Sequence, residues 1–210
     1  MSESGIGIII LAAGSSSRLG EPKQLLQFEG ETLLSRAVRV ALETPHRPVI
    51  VVLGAHAGRL REEIAETDAC IIVNEEWAEG MGSSIRCGLL AMETRAVREV
   101  EAVILMLCDQ PFVTSLTLNR LIDTFHERQA LLVASEYEAA GETARGVPAL
   151  FSRKLFPELL ELRGAAGAKR LIMLHEGEAD FIAVPEAAVD VDTLEDYRAL
   201  QRERERTLSR

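Results

Sequence analysis

Lysine, arginine and aspartate carry most of the chemistry this sequence offers, and they gather at points far apart along the chain. The first is LAAGSSSRLGEPK, Leu11–Lys23. Gly14 and Gly20 permit backbone shapes that other residues resist, and they leave amide groups open to an anion. Arg18 offers a planar fork for phosphate oxygens, and Lys23 a compact positive charge. Two familiar phosphate loops fail here. GxxxxGK followed by Ser or Thr does not fit between Gly14 and Lys23, and GxGxxG is absent from the loop. A glycine- and serine-rich connector is the plain alternative.

The second point is CDQP, Cys108–Pro111. A carboxylate at Asp109 can ligate Mg²⁺, which bridges phosphate oxygens and keeps several waters. An aspartate before a helix also serves as a cap or turn residue. The third is DVDTLEDY, Asp190–Tyr197, where Asp192 or Thr193 can cap a helix with Glu195 or Asp196 completing a capping box. A fourth stretch, NEEWAEGMGSSIRCGL, runs from Asn74 to Leu89. Gly80 and Gly82 free its backbone, and Ser83 and Ser84 can cap a helix whose N-terminus favours anions.

The elements that must position these residues follow from hydrophobic periodicity. Near-continuous apolar runs at 6–12, 48–54, 69–74, 102–109 and 130–136 read as strands of a parallel sheet covered on both faces. Between them, 31–43, 58–66, 83–95 and 115–128 have helical spacing. The alternation predicts right-handed crossovers and a three-layer α/β, Rossmann-like domain with a mostly parallel sheet flanked by helices. Further on, 146–151 and 179–185 read as strands, and 152–162, 167–175 and 193–206 as helices. No repeat, linker or charge block marks a second domain, so residues 1–210 read as one unit. In such a sheet, ligands bind beyond the carboxyl ends of the strands, where the Leu11–Lys23 loop and Asp109 would meet.

Residue for residue, LAAGSSSRLGEPK resembles the signature LAAGxSxRxGxxK of the MobA-like nucleotidyltransferases. The resemblance covers nearly the whole chain and implies the nucleotide-diphospho-sugar transferase type of fold. It implies that Leu11, Ala12, Ala13, Gly14, Ser16, Arg18, Gly20 and Lys23 wrap the phosphates of a nucleoside triphosphate, with Arg18, Lys23 and Asp109 catalytic. It further implies that Asp109 and Asp192 hold Mg²⁺, with Mn²⁺ a substitute, Asp192 matching the second acidic residue of a DxDTxED segment. Asn74, Gly80, Met81 and Ser84 would lie beside the base and ribose. Residues 1–110 or so would then bind nucleotide and about 111–200 the acceptor. GMGSSIRCGL with CDQP is similar to the molybdenum cofactor cytidylyltransferase branch, which implies CTP and molybdopterin as substrates and a molybdenum oxidoreductase or its maturation factor as partner. RGVPALF (145–151) implies that Gly146 and Pro148 shape the acceptor side. One departure stands out: the branch has a GDxGAR-like segment, where this chain reads RGAAGAKRLI, with Ala165 for the acidic residue and Lys169 for arginine.

Composition sets the outer limits. The formal net charge is −10, which argues against a broad nucleic-acid surface and makes Arg18 and Lys23 more telling. No run reaches the roughly 18 apolar residues of a membrane span, and the start lacks the flank of a signal peptide. Cys70, Cys87 and Cys108 lie far apart without metal spacing, as expected of reduced thiols in a cytoplasmic protein. His46, His56, His126 and His175 are scattered, and Trp77 reads as a loop anchor. Two alternatives stay open. One is the same chemistry with another acceptor, a sugar or polyol phosphate, or molybdopterin with GTP. The other is a non-catalytic cofactor-binding maturation factor. A Rossmann oxidoreductase stands further off, because the glycine fingerprint is missing.

Overall fold

The first strand shows how the sequence builds this sheet. In β1 (Gly5–Ala12), Ile6, Ile8, Ile10 and Ala12 join the core on one face, while Ile9 and Leu11 join the core on the other. Successive side chains of a strand point to opposite faces, so an unbroken apolar run is a strand buried on both. The structure, a computed structural model, describes residues 5–17, 19–95, 99–139, 141–165 and 167–208.

Four adjacent parallel strands form the larger part of the sheet: β1, β4 (Val49–Leu53), β5 (Cys70–Val73) and β6 (Val100–Leu107). Three more, β7 (Leu132–Ala139), β8 (Glu142–Ser152) and β9 (Ala179–Ala183), complete a seven-stranded sheet in the order β5-β4-β1-β6-β8-β7-β9. β8 runs antiparallel to both of its neighbours. It is also longer than the expected 146–151, because it forms a hairpin with β7 before crossing to β6. Helices α1 (Leu33–Leu42), α2 (Ala57–Glu63), α3 (Met81–Arg95), α4 (Ser115–Arg128), α5 (Phe156–Glu161), α6 (Ala168–Leu174) and α7 (Leu194–Leu208) accompany the strands. This is the mixed α/β, mostly parallel architecture that the periodicity predicts.

One small hairpin was not expected. β2 (Gln27–Phe28) and β3 (Glu31–Thr32) pair antiparallel around Glu29 and Gly30, both at positive φ. That is the geometry of a tight two-residue hairpin turn. It delays α1 to Leu33, where the Thr32 side chain accepts from the Ser35 amide at 3.1 Å and caps the helix.

The hairpin supports a third apolar cluster, apart from the two faces of the sheet. Leu19, Leu26, Phe28 and Leu33 pack with Val191 and Leu200, with Phe112 and Tyr197 beside them. The Tyr197 hydroxyl and the Gln201 amide both donate to the Gln27 carbonyl, at 3.0 and 2.9 Å. α7 is thereby fastened to the loop that follows β1.

α3 lies close on the sheet at Gly88. A Cβ there would sit 2.8 Å from Ile9 Cγ2 and 2.9 Å from Val52 Cγ2. Gly88→Val is therefore expected to lower the unfolding free energy by roughly 1–3 kcal/mol, the range for overpacked cores. A urea midpoint that falls at unchanged slope would bear this out, and an unchanged midpoint would refute it. Among the described residues, no helix is long and apolar enough to cross a membrane.

Candidate active site

Leu11 of β1 pairs with Leu107 of β6, so the loops leaving these two strands emerge side by side at the carboxyl edge of the sheet. The crossovers from β1 and β6 diverge there, which opens a crevice. A cavity of about 490 Å³ fills it, within the usual range for small-molecule sites.

Lys23 stands at its centre. Its ammonium pairs with Asp109 Oδ2 and lies 2.7 Å from Asp192 Oδ1. Burial alone would push this ammonium's pKa down, but the charge and hydrogen bond of Asp109, joined by Asp192, more than offset it. Lys23 is thus held above its ordinary value and stays charged at any neutral pH.

The loop carrying Lys23 is braced from within. The Ser16 side chain, at positive φ, accepts from the Lys23 amide at 2.9 Å and donates to Gln24 Oε1 at 3.2 Å. Gln24, almost wholly buried, donates to the Ala12 and Gly14 carbonyls, each at 3.0 Å. Nothing in the spacing of the motif singled out Gln24, yet it ties the end of β1 to the lysine.

Asp109 follows β6, and its backbone carbonyl accepts from the Val191 amide at 3.1 Å. That bond draws the 190–192 segment into the cavity wall. Beyond it, Thr193 and Asp196 form the reciprocal cap of α7. Asp196 Oδ2 accepts from the Thr193 amide at 2.7 Å, and Thr193 Oγ1 from the Asp196 amide at 3.2 Å. The cap therefore falls to Thr193, and the Asp192 carboxylate faces Lys23 instead. Asp190 also lines the cavity; burial, then the charges of Asp109 and Asp192, raise its carboxyl pKa above its ordinary value.

The fit of a divalent cation can be tested on the donor set. Asp109 Oδ1 is buried and has no hydrogen-bond partner, so one strong oxygen donor is unsatisfied beside the Asp192 carboxylate. Among the described residues, no three His, Cys, Asp or Glu side chains converge as a closed metal cage would require. A carboxylate pair that supplies only part of a shell suits Mg²⁺ or Mn²⁺, which share theirs with substrate phosphates and water. The residues present fit such an ion. Cys108 offers no competing nucleophile, because burial, with Asp109 beside it, pushes its thiol up to about 12.

The remaining expected residues divide clearly. Leu11, Ala12, Ala13, Gly14, Gly80, Met81 and Ser84 line the cavity with Lys23, Asp109 and Asp192. Asn74 is buried behind that wall, where its amide donates to the Ser83 and Ser84 hydroxyls at 2.8 and 3.1 Å. Gly20, at φ +76°, is an exposed turn residue outside the lining. Gly146 and Pro148 lie on β8, also outside it; Gly146 leaves room for the Tyr137 hydroxyl, and the Pro148 carbonyl accepts from Ser135 at 2.6 Å. Arg18 lies outside the described residues. Trp77 packs against Gly54, where a Cβ would fall 2.6 Å from its own, and it lines the cavity as well as anchoring its loop.

Comparison with known proteins identifies the family of the chain. Residues 8–179 match the model of the MobA-like NTP transferase domain. The nicotine blue oxidoreductase of Paenarthrobacter nicotinovorans is 31% identical over 91% of this chain and 95% of its own. The molybdenum cofactor cytidylyltransferase of Escherichia coli K12 is 27% identical over 92% and 94%. The crystal structure of Rv0371c from Mycobacterium tuberculosis H37Rv superposes with a TM-score of 0.80 at 32% identity, covering 95% of this chain and 98% of that one. The same protein has been solved in complex with manganese.

Proposed function

The chain belongs to the MobA-like NTP transferase family of nucleotidyltransferases, and from that membership we propose that it moves CMP from CTP to molybdopterin-bound molybdenum, giving molybdopterin cytosine dinucleotide and pyrophosphate in the cytoplasm. The observation that carries the proposal is the grip of Lys23 on Asp109 and Asp192 inside a nucleotide-sized cavity. The cytidylyltransferase among its relatives supports the choice of donor and acceptor.

In this reading, residues 1–110 or so hold the nucleotide and about 111–200 the acceptor. The backbone of Leu11–Gly14 receives the triphosphate, with Ser16, Gly20 and Arg18 completing the loop. Gly80, Met81 and Ser84 form the wall beside base and ribose, and Asn74 keeps it upright. Gly146 and Pro148 shape the acceptor side. An acceptor phosphate oxygen attacks the α-phosphorus, and the bond to the bridging β-phosphate oxygen breaks to release pyrophosphate. No general base is needed, because a phosphate is already anionic near neutral pH. Lys23 and Arg18 neutralise charge that grows on the α-phosphoryl oxygens and the leaving group, so the work is positioning and electrostatic stabilisation. Asp109 and Asp192 would hold Mg²⁺, or Mn²⁺ in its place, which supplies further charge neutralisation on the triphosphate. A molybdenum oxidoreductase or its maturation factor would receive the product.

Exchange of labelled pyrophosphate into each nucleoside triphosphate tests the donor. Exchange with CTP alone is the expected result, followed by mass detection of the cytosine dinucleotide when molybdopterin cofactor is added. Exchange with GTP alone, or a product built on a sugar phosphate, would refute the specificity and spare the chemistry. An oxidoreductase assay on nicotine blue tests the activity that one relative's name carries. Turnover there without pyrophosphate exchange would overturn the proposal.

A further inference from the structure

Two turns, distant in sequence, interlock on the outer side of the cavity wall. One is the single helical turn Trp77–Glu79 with Gly80, leading into α3. The other joins α5 to α6 and includes Leu162 to Ala165 and Gly167. The Gly164 amide donates to Glu79 Oε1 at 3.2 Å, and the Gly164 carbonyl accepts from the Gly82 amide at 3.1 Å. Arg86, on α3, forks onto the Glu79 carboxylate at 3.0 and 2.6 Å and donates to the Leu162 carbonyl.

The packing between these turns leaves no room for side chains. A Cβ on Gly80, which sits at φ +122°, would lie 2.5 Å from the Gly164 carbonyl oxygen. One on Gly82 would come within 3.0 Å of Arg163 N, and one on Gly167 within 2.5 Å of Met81 Sδ. Gly80, Met81 and Ser84 line the cavity on the other side of this seam. Asn74 holds the wall from the strand side, and the second turn holds it from outside.

We infer that Arg86, acting through Glu79 and the Leu162–Ala165 turn, positions the Gly80–Ser84 wall and so sets how tightly the donor nucleotide binds. Arg86 is a positioning residue, since it does not line the cavity. The pairing is insensitive to pH in the working range. Arg86, and then the Gly164 amide, hold the Glu79 carboxyl down at about 2, so the latch loosens only in strong acid.

This inference rests on the nucleotidyltransferase reading, and a direct binding measurement separates the two. Trp77 is the only tryptophan and lines the cavity, so its fluorescence reports nucleoside triphosphate binding. Arg86→Ala is expected to weaken CTP binding and raise KM by about tenfold, the size of losing one charge-assisted network, with kcat changed by less than about threefold. Glu79→Gln, which keeps an acceptor for the Gly164 amide, is expected to fall between wild type and Arg86→Ala. Adding it to Arg86→Ala should cause little further loss. Arg153→Ala, at the far end of the sheet, controls for loss of a surface charge. Thermal melts identify any variant that fails to fold, and Glu79→Gln carries the test if Arg86→Ala does. Full retention of CTP affinity in the folded latch variants would overturn the latch alone. A wild-type protein that binds no triphosphate would overturn the donor site and the latch together.

Discussion

Asp109→Ala is expected to lower kcat at least ~100-fold, the scale of losing one group that acts mainly on the transition state. The expectation follows from what the carboxylate does in the folded chain. One oxygen holds Lys23 and the other is buried without a partner. An unsatisfied buried oxygen is costly unless something occupies it during function. Asp109→Asn preserves the shape and one acceptor oxygen but removes the charge, and it is expected to lose activity almost as fully. Activity within a few-fold of wild type in either variant, at ordinary Mg²⁺, would sink the assignment. Folding is the necessary control, because either substitution also leaves the largely buried Lys23 ammonium without the Asp109 charge.

Lys23→Ala carries the second large effect, and it has two parts of opposite sign. Catalysis should again fall at least ~100-fold, since no other described side chain brings a cation to the centre of the cavity lining. Binding of Mn²⁺ without nucleotide should become tighter. With Lys23 gone, Asp109 and Asp192 lose the ammonium that sits against both, while Asp190 adds a third carboxyl nearby. Like charges gathered in a half-buried site are relieved by a cation from solution. Titration of free Mn²⁺ by electron paramagnetic resonance measures this directly. Affinity that falls or stays level in Lys23→Ala would show that the lysine does not occupy the place a divalent ion takes.

Much of this site was legible before the fold. Strands buried on both faces announce themselves as unbroken apolar runs, and the residues that follow them must then meet at one edge of the sheet. The direction of β8 was not legible, because GVPALF reads alike in a parallel or antiparallel strand. The hairpin at 27–32 was hidden for a different reason: its two-residue strands are too short to show a period. At the site, Lys23 stood out by its type, whereas Asp109 and Asp192 read equally well as helix caps and were marked as ligands only by the family resemblance; the Val191 amide bond to the Asp109 carbonyl then brings them together. Gln24 and Arg86 left no local trace. Their partners are backbone groups or side chains that only tertiary structure brings near.

The relatives draw the line between scaffold and chemistry. A cytidylyltransferase and an oxidoreductase both cover most of this chain at similar identity. Fold and membership therefore leave the reaction to be argued from the site itself. The family match ends at residue 179, so Asp190 and Asp192 lie beyond it.

The fastening of α7 to the first loop has a bearing on how the protein is made. Domains emerge from the ribosome amino end first, at roughly 5–20 residues per second. The Leu11–Lys23 loop is made well before Val191, Tyr197 and Leu200, which pack the third cluster with Leu19 and Leu26. A nascent chain can thus begin its sheet while the Leu11–Lys23 loop still lacks both its apolar seat and Asp192. The cavity wall around Lys23 is complete only when α7 docks on the loop.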